Sequence, residues 1–277
     1  MKRSTRRSLG LAAASPPDRH GYFSLGTHAE YMAPMIGEVP LFLEVNHKMP
    51  RTFGENQVHV SQIAGWCEAD YPLAELTPRP MREIDNRLLE YVAERIPDGA
   101  TLQIGIGVLP NEVLSMLGDH TNLGVHSELF AEGFVDLVER GVVTGSRKLT
   151  HRNRIVTTTA IGSQSLYDLV DENPGVEFWP VDYTNAPQNI AKEDHMVAIN
   201  ATLEVDFSAS APRSPSAATT GLPRGASQTS RGARCSPSTA SRSSCCTRRR
   251  PTSRSPASSP NCIPAPRSPR SRTWSTT

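Results

Sequence analysis

Two short stretches of this 277-residue chain hold groups that could do chemistry together: the turn Gly105-Ile106-Gly107 and the acidic position Glu128 in His126-Ser127-Glu128. A glycine-rich turn lets backbone amides approach a ligand, and the start of a helix behind it favours negative charge. A carboxylate can serve as acid, base or covalent nucleophile. Each feature is weak alone. GIGVLP is not a GxGxxG fingerprint, and a lone glutamate at a strand end is more often simply solvated. His126 beside Ser127 invites a hydrolase reading. Adjacent strand residues point to opposite faces, however, so these two cannot meet as base and nucleophile. His126 does share a face with Glu128.

The elements around these stretches decide whether they meet. Leu102, Ile104 and Ile106 alternate with Gln103, Gly105 and Gly107, which is strand spacing. A helix follows, with Pro110 in its first turn, Val113, Leu114 and Leu117 on its inner face and Gly118 at its C-terminal cap. A second strand runs from Leu123 to Glu128, and another helix carries Phe130, Phe134, Leu137 and Val138 to Gly141. Ahead of them, Ile84, Leu88, Val92 and Ile96 make residues 81–96 an amphipathic helix. Strand, helix, strand, helix predicts an α/β fold with a mostly parallel sheet and flanking helices. Parallel strands joined by one crossover end on the same sheet edge, where open α/β sheets bind ligands. The glycine turn and Glu128 are therefore expected at one rim.

The flanks are less periodic. Residues 20–75 read as short strands and loops, and Pro72, Pro78 and Pro80 suggest a linker. Residues 154–162, 175–181 and 196–207 read as strands and 165–174 as a short helix. Charge divides the chain sharply. Residues 208–277 hold 12 Arg, 18 Ser and no acid, whereas the first 207 residues carry a net charge of −11. With so few large apolar residues the tail is expected to be disordered. Four of the five cysteines lie in it, leaving Cys67 alone in the body and no disulfide framework there. Cys245 and Cys246 lack zinc-ligand spacing, and no metal site is expected. No run of 18 apolar residues exists, so no membrane-spanning helix is expected. Leu9 to Ala14, behind a basic start, is too short for a signal core and reads as a non-native leader, with a cytoplasmic setting.

The residues at the rim sit in stretches that resemble the acetyl-CoA hydrolase/transferase family, which includes 4-hydroxybutyrate CoA-transferases. The stretches are SPPDRHGYFSLGT, EVNHKMPRTFGENQVHVSQI, DGATLQIGIGVLPNEVL, LGVHSELFAEGFVDLVERGVVTG, PVDYTNAP and MVAINATLEVDF, spanning about residues 15–207 in the family's order. The resemblance implies that Glu128 is the catalytic carboxylate and forms a glutamyl-CoA thioester during transfer to a small carboxylate, or during hydrolysis of acetyl-CoA. It implies that backbone amides around Ile106 and Gly107 assist the oxyanion. It also implies that Gly105, Ile106, Gly107, Val108 and Leu109 line the coenzyme A site, with the strand around Leu203 beside it. Acyl-CoA is then a substrate and not a resident cofactor. The implied partners are acyl-CoA and a carboxylate, in an assembly of like chains for the intact family, with neither nucleic acid nor membrane.

By the same resemblance residues 1–75 are a remnant of an N-terminal domain and 76–207 the front of a C-terminal domain bearing Glu128. After Phe207 the likeness stops. If the last base of each tail codon is read with the first two of the next, synonymous choices permit GQCASESL, FARGAVL, KPIVVLYSA and VSRIVPELHPGAAVTTLKNVVDH, in order, as a continuation of the family pattern. The tail is therefore expected to be out of frame, and the chain to have little activity. Two rivals are a polyanion- or nucleic-acid-binding protein acting through the arginines of 208–277, and an inert folded chain.

Overall fold

The computed structural model describes residues 8–76, 83–202 and 242–246. Its centre is a seven-stranded sheet built from seven separate segments. In chain order these are β4 (Phe53–Gly54), β7 (Thr101–Ile104), β8 (Gly124–Ala131), β9 (Ile155–Ile161), β10 (Val176–Phe178), β11 (Met196–Thr202) and β12 (Arg242–Cys246). They lie in the order β12-β11-β7-β8-β9-β10-β4, and every pairing is parallel. The α/β expectation holds. All four residues of β7 and seven of the eight in β8 are buried, as expected of parallel strands covered on both faces.

Helices α1 (Glu83–Ala93), α2 (Val108–Ser115), α3 (Phe134–Glu139) and α4 (Gln164–Val170) make the connections, with two single-turn helices, α5 (Val181–Thr184) and α6 (Pro187–Ile190), before β11. Leu89, Val92, Val113, Leu114, Phe134, Leu137 and Leu166 pack with Leu102, Ile104, Val125 and Phe130 in one continuous core. The N-terminal part adds a three-stranded parallel sheet, β1 (Gly10–Ala14), β3 (Leu41–Asn46) and β6 (Ile63–Ala69), in the order β1-β3-β6. A two-stranded antiparallel pair, β2 (Tyr22–Ser24) with β5 (Gln57–His59), completes it.

Several boundaries differ from the expectations. β7 ends at Ile104, and Ile106 lies beyond it, 48% exposed. β8 runs three residues past Glu128 to Ala131, so Phe130 belongs to this strand and not to the next helix. An apolar Leu-Phe-Ala run fits a buried strand as well as a helix start, and its pairing with β9 decides between them. Helix α2 closes at Met116; Gly118 is small because Arg140 lies against it, with Nη1 only 2.5 Å from where a Cβ would stand. The run Leu9–Ala14, expected to be part of a non-native leader, contributes to the fold. Its residues Gly10–Ala14 form β1, paired in register with Leu41–Val45. Within the tail, Arg242–Cys246 pairs along Ala198–Thr202. Ladder pairing uses backbone groups, so a side-chain composition that cannot build a core does not prevent a strand on an open edge. Leu203 and the rest of 203–277 lie outside the described residues, apart from that strand.

Candidate functional site

Register brings the glycine turn and Glu128 together. β7 and β8 pair Thr101 with Gly124 and Leu102 with Val125. Beyond that, the backbone ladder is replaced by the Ser127 hydroxyl, which receives the Ile104 N–H at 3.0 Å and donates to the Ile104 carbonyl at 3.2 Å. The same register sets Glu128 level with Gly105, at the carboxyl end of the sheet. Ser127 is thus held by a backbone and has no contact with His126.

Past Gly105, the chain turns into α2 through Gly107, whose φ of +145° is open to glycine but not to a side chain. Ile106, Gly107 and Val108 are exposed. Leu109 is turned into the core, 8% exposed, so only its backbone is available to a ligand. Gly105 itself is needed for a second reason. A Cβ there would lie 2.3 Å from Oδ1 of Asn200 on β11.

Glu128 is half-buried. Its Oε2 accepts a 2.6 Å hydrogen bond from Nδ2 of Asn185, the residue that caps α5. Among the described residues, Oε1 has no hydrogen-bond partner. One oxygen is therefore fixed and the other is left for a ligand. One pleat earlier on the same face, His126 reaches the neighbouring residue of the same segment: Nε2–H donates to the Thr184 carbonyl at 2.9 Å. Among the described residues, its buried Nδ1 has no hydrogen-bond partner. Burial, against the help of the Thr184 carbonyl, lowers its pKa from 6.5 to about 4, so the ring is neutral and is part of the scaffold.

The 180–185 segment is itself braced. His151 Nδ1–H donates to Glu177 Oε2 at 2.8 Å, and its Nε2 shares a 2.7 Å hydrogen bond with the Tyr183 hydroxyl. Trp179 Nε1–H donates to the same Glu177 oxygen at 3.0 Å. Beneath β8, Lys148 is 2% exposed and donates to the carbonyls of Val125 and Arg154. Burial lowers its pKa to about 8.

A site of this kind, with a carboxylate facing a glycine turn at the rim of a parallel sheet, is common to many folds and does not name one. The comparisons do. Residues 162–244 match the model of the acetyl-CoA hydrolase/transferase C-terminal domain. The 4-hydroxybutyrate coenzyme A transferase of Clostridium kluyveri is 43% identical over 200 residues, covering 72% of this chain and 47% of that protein. The chain belongs to the acetyl-CoA hydrolase/transferase family.

Other relatives agree with this. The succinyl-CoA:cyclohexane-1-carboxylate CoA transferase of Geobacter metallireducens is 42% identical over 194 residues, covering 70% of this chain and 44% of that one. The crystal structure of RipA from Yersinia pestis superimposes with a TM-score of 0.72 at 39% identity, over 73% of this chain and 47% of RipA. This family member spans about half the length of the curated relatives it matches. The family match reaches residue 244, well beyond Phe207, where the sequence likeness was expected to stop.

Two polar residues of the site escaped the sequence reading, Asn185 and Asn200. Both lie in quoted stretches, PVDYTNAP and MVAINATLEVDF. The available signal for Asn200 was an amide interrupting an apolar strand run. Asn185 offered none, because its position follows from two single-turn helices that carry no periodicity. Among the described residues no helix is long and apolar enough to cross a membrane, and no group of three or more His, Cys, Asp or Glu is placed to hold a metal ion.

Proposed function

We propose that this chain carries the acyl-accepting half of a coenzyme A transfer, with Glu128 as the nucleophile. The observation that supports it is Glu128 itself: half-buried, anchored through one oxygen by Asn185, and level with a glycine turn in which Ile106 and Gly107 are exposed residues. Oε1 attacks the thioester carbonyl of acyl-CoA, and the thiolate of coenzyme A leaves, giving a mixed anhydride. The thiolate then attacks the glutamyl carbonyl and expels the first carboxylate, leaving a glutamyl-CoA thioester. An acceptor carboxylate reverses both steps and departs as the new acyl-CoA; water in its place gives hydrolysis. No proton is gained or lost in the transfer cycle, so a neutral His126 buried nearby costs the reaction nothing. The backbone of Ile106 and Gly107 supplies donors for the tetrahedral oxyanions.

The test uses the chain with acetyl-CoA and mass spectrometry of its peptides. The expected result is a coenzyme A adduct on the peptide containing Glu128, cleaved by hydroxylamine and absent in Glu128→Gln. An adduct confined to another peptide, or none, overturns the assignment.

We infer separately that the tail is out of frame; the family match, which continues to residue 244 in the frame as given, weighs against a break as early as Phe207. The shifted string KPIVVLYSA straddles residues 240–249, and its Ile-Val-Val-Leu run falls on Arg242–Cys246, the five tail residues that pair with β11. An apolar run suits a strand at that position better than Arg-Ser-Ser-Cys-Cys does. Sequencing the gene across the codons for Asp206 to Ser208 decides it; an uninterrupted frame in the source DNA, confirmed in an independent isolate, overturns it. With that part replaced, turnover by the chain as it stands is expected to be low.

A further inference from the structure

Asn185, the residue that holds Oε2 of Glu128, stands at the end of α5, a helix of four residues. A single turn is unstable alone, so its place is set by what it touches. Val156 on β9 pairs with His126 on β8 and with Glu177 on β10, which makes His126 and Glu177 level. Residues level with one another on parallel strands point to the same face, here the face of Glu128. From the β8 side, His126 holds the Thr184 carbonyl. From the β10 side, Glu177 reaches α5 through His151, whose Nδ1 meets Glu177 Oε2 at 2.8 Å and whose Nε2 meets the Tyr183 hydroxyl at 2.7 Å. The Trp179 ring lies against Tyr183, with centroids 4.4 Å apart, and meets His151 edge-on at 4.7 Å. Its Nε1–H donates to the same Glu177 oxygen, so one carboxylate fixes both rings that enclose Tyr183. Tyr183, Thr184 and Asn185 are therefore bonded in turn to His151, His126 and Glu128.

We propose that Tyr183 and His151 are positioning residues for Glu128: their hydrogen bond sets α5, and α5 presents the Asn185 amide that orients the attacking carboxylate. This rests on the reading of Glu128 as nucleophile. A carboxylate held through one oxygen turns about that contact, so the line along which Oε1 meets a thioester carbonyl depends on where the Asn185 amide stands. Loosening α5 spreads that line over many directions without removing any contact to the ligand. It therefore lowers the rate of attack and leaves the binding of acyl-CoA as it was.

The rate of adduct formation on the Glu128 peptide is measured against acetyl-CoA concentration for the full chain, Tyr183→Phe, His151→Asn, Asn185→Ala and Tyr183→Phe combined with Asn185→Ala, with thermal melting of each. Tyr183→Phe removes only the hydroxyl and keeps a ring against Trp179. Residue 151 has a φ of +45°, which asparagine tolerates well. In His151→Asn the shorter amide can still donate to Glu177 but does not reach Tyr183. The expected result is a limiting rate about 10-fold lower in Tyr183→Phe and in His151→Asn, with the half-saturating concentration unchanged and the folded protein retained. In the Asn185→Ala background, Tyr183→Phe is expected to cost nothing more, because the residue through which it acts is gone. An equal loss with and without Asn185 overturns the proposal. So does a loss of rate that only follows a loss of folded protein. If the unmodified chain forms an adduct and neither Tyr183→Phe nor His151→Asn slows it, the positioning role falls and Glu128 stands. If the unmodified chain forms none, both fall.

Discussion

The two parallel sheets of this chain are finished in opposite ways. In the seven-stranded sheet the central strands are buried on both faces, and the carboxyl rim brings polar groups to the surface, Glu128, the Gly105–Gly107 backbone and Asn200, beside the exposed side chains of Ile106 and Val108. In the three-stranded sheet only one face is buried. Leu41, Leu43 and Val45 point into the core, but Phe42 between them is 36% exposed and Leu11, its partner on β1, is 69% exposed. Burial on both faces leaves a sheet no outlet except its ends, and there a few side chains are held firmly enough to do chemistry. A sheet with an open face has ample exposed surface, and along the Leu11–Phe42 line that surface is apolar. Position in the fold therefore separates the two more clearly than residue type does.

The largest test of this contrast removes the proposed nucleophile. Glu128→Gln is nearly isosteric and can still receive the Asn185 amide through its own carbonyl oxygen, so the fold is expected to survive. Adduct formation with acetyl-CoA should fall below detection, at least about 1,000-fold, because an amide oxygen does not form the anhydride. Residual adduct at the normal rate would move the chemistry away from the rim.

Next comes the glycine turn. In Gly105→Ala the new Cβ would meet Asn200 Oδ1 at 2.3 Å, with the Ile199 carbonyl at 3.3 Å. Either Asn200 turns aside or the strand shifts, and the proposed approach of a ligand to the Gly105 backbone is narrowed in both cases. The expected outcome is an adduct rate down by about 100-fold with a stability loss of about 1–3 kcal/mol, read by peptide mass spectrometry and urea unfolding. A full rate in this variant would show that nothing needs to approach the backbone there.

Much of this rim is legible in the sequence. Alternation along Leu102–Ile106 and the helix behind it placed the glycine turn, and the next strand placed Glu128 at the same edge. What the pattern could not supply was extent and partner. Glu128 was expected to end its strand, but β8 continues to Ala131, since Leu129 and Phe130 are as apolar as a helix start and only pairing with β9 settles them. Asn185 was invisible because a one-turn helix has no period, and its contact with Glu128 spans 57 positions. β1 does not read as a strand in the sequence because four of its five residues are glycine or alanine and carry little strand propensity, and parallel pairing to a segment 31 positions away provides what they lack.

A smaller effect follows from His126, the buried neighbour of Glu128. Its folded-state pKa is about 4 against 6.5 for a free histidine. Between these values the unfolded chain takes up a proton that the folded chain refuses. Its stabilising contribution is therefore complete above pH 6.5 and is lost as the pH falls toward 4, at up to about 1.4 kcal/mol per unit. Urea midpoints measured across this range should fall more steeply in the parent than in His126→Gln, which can keep a donor toward the Thr184 carbonyl without titrating. Parallel curves for the two proteins would mean that His126 is protonated in the fold.

The smallest effect belongs to that face. Leu11 is 69% exposed, directly opposite Phe42 on β3, and its neighbours along the strand are glycine and alanine. Replacing it with alanine removes little buried apolar area, so stability should change by no more than about 0.5 kcal/mol, and adduct formation at Glu128 should not change. Light scattering gives the sharper reading. A contiguous apolar strip associates with itself more readily than a polar rim, so the parent should show more association at high concentration than Leu11→Ser. Equal scattering from both would indicate that the strip is too narrow to act as a surface. A loss of stability comparable to a core substitution would show that Leu11 is covered after all, and the distinction between the two sheets would then rest on the rim alone.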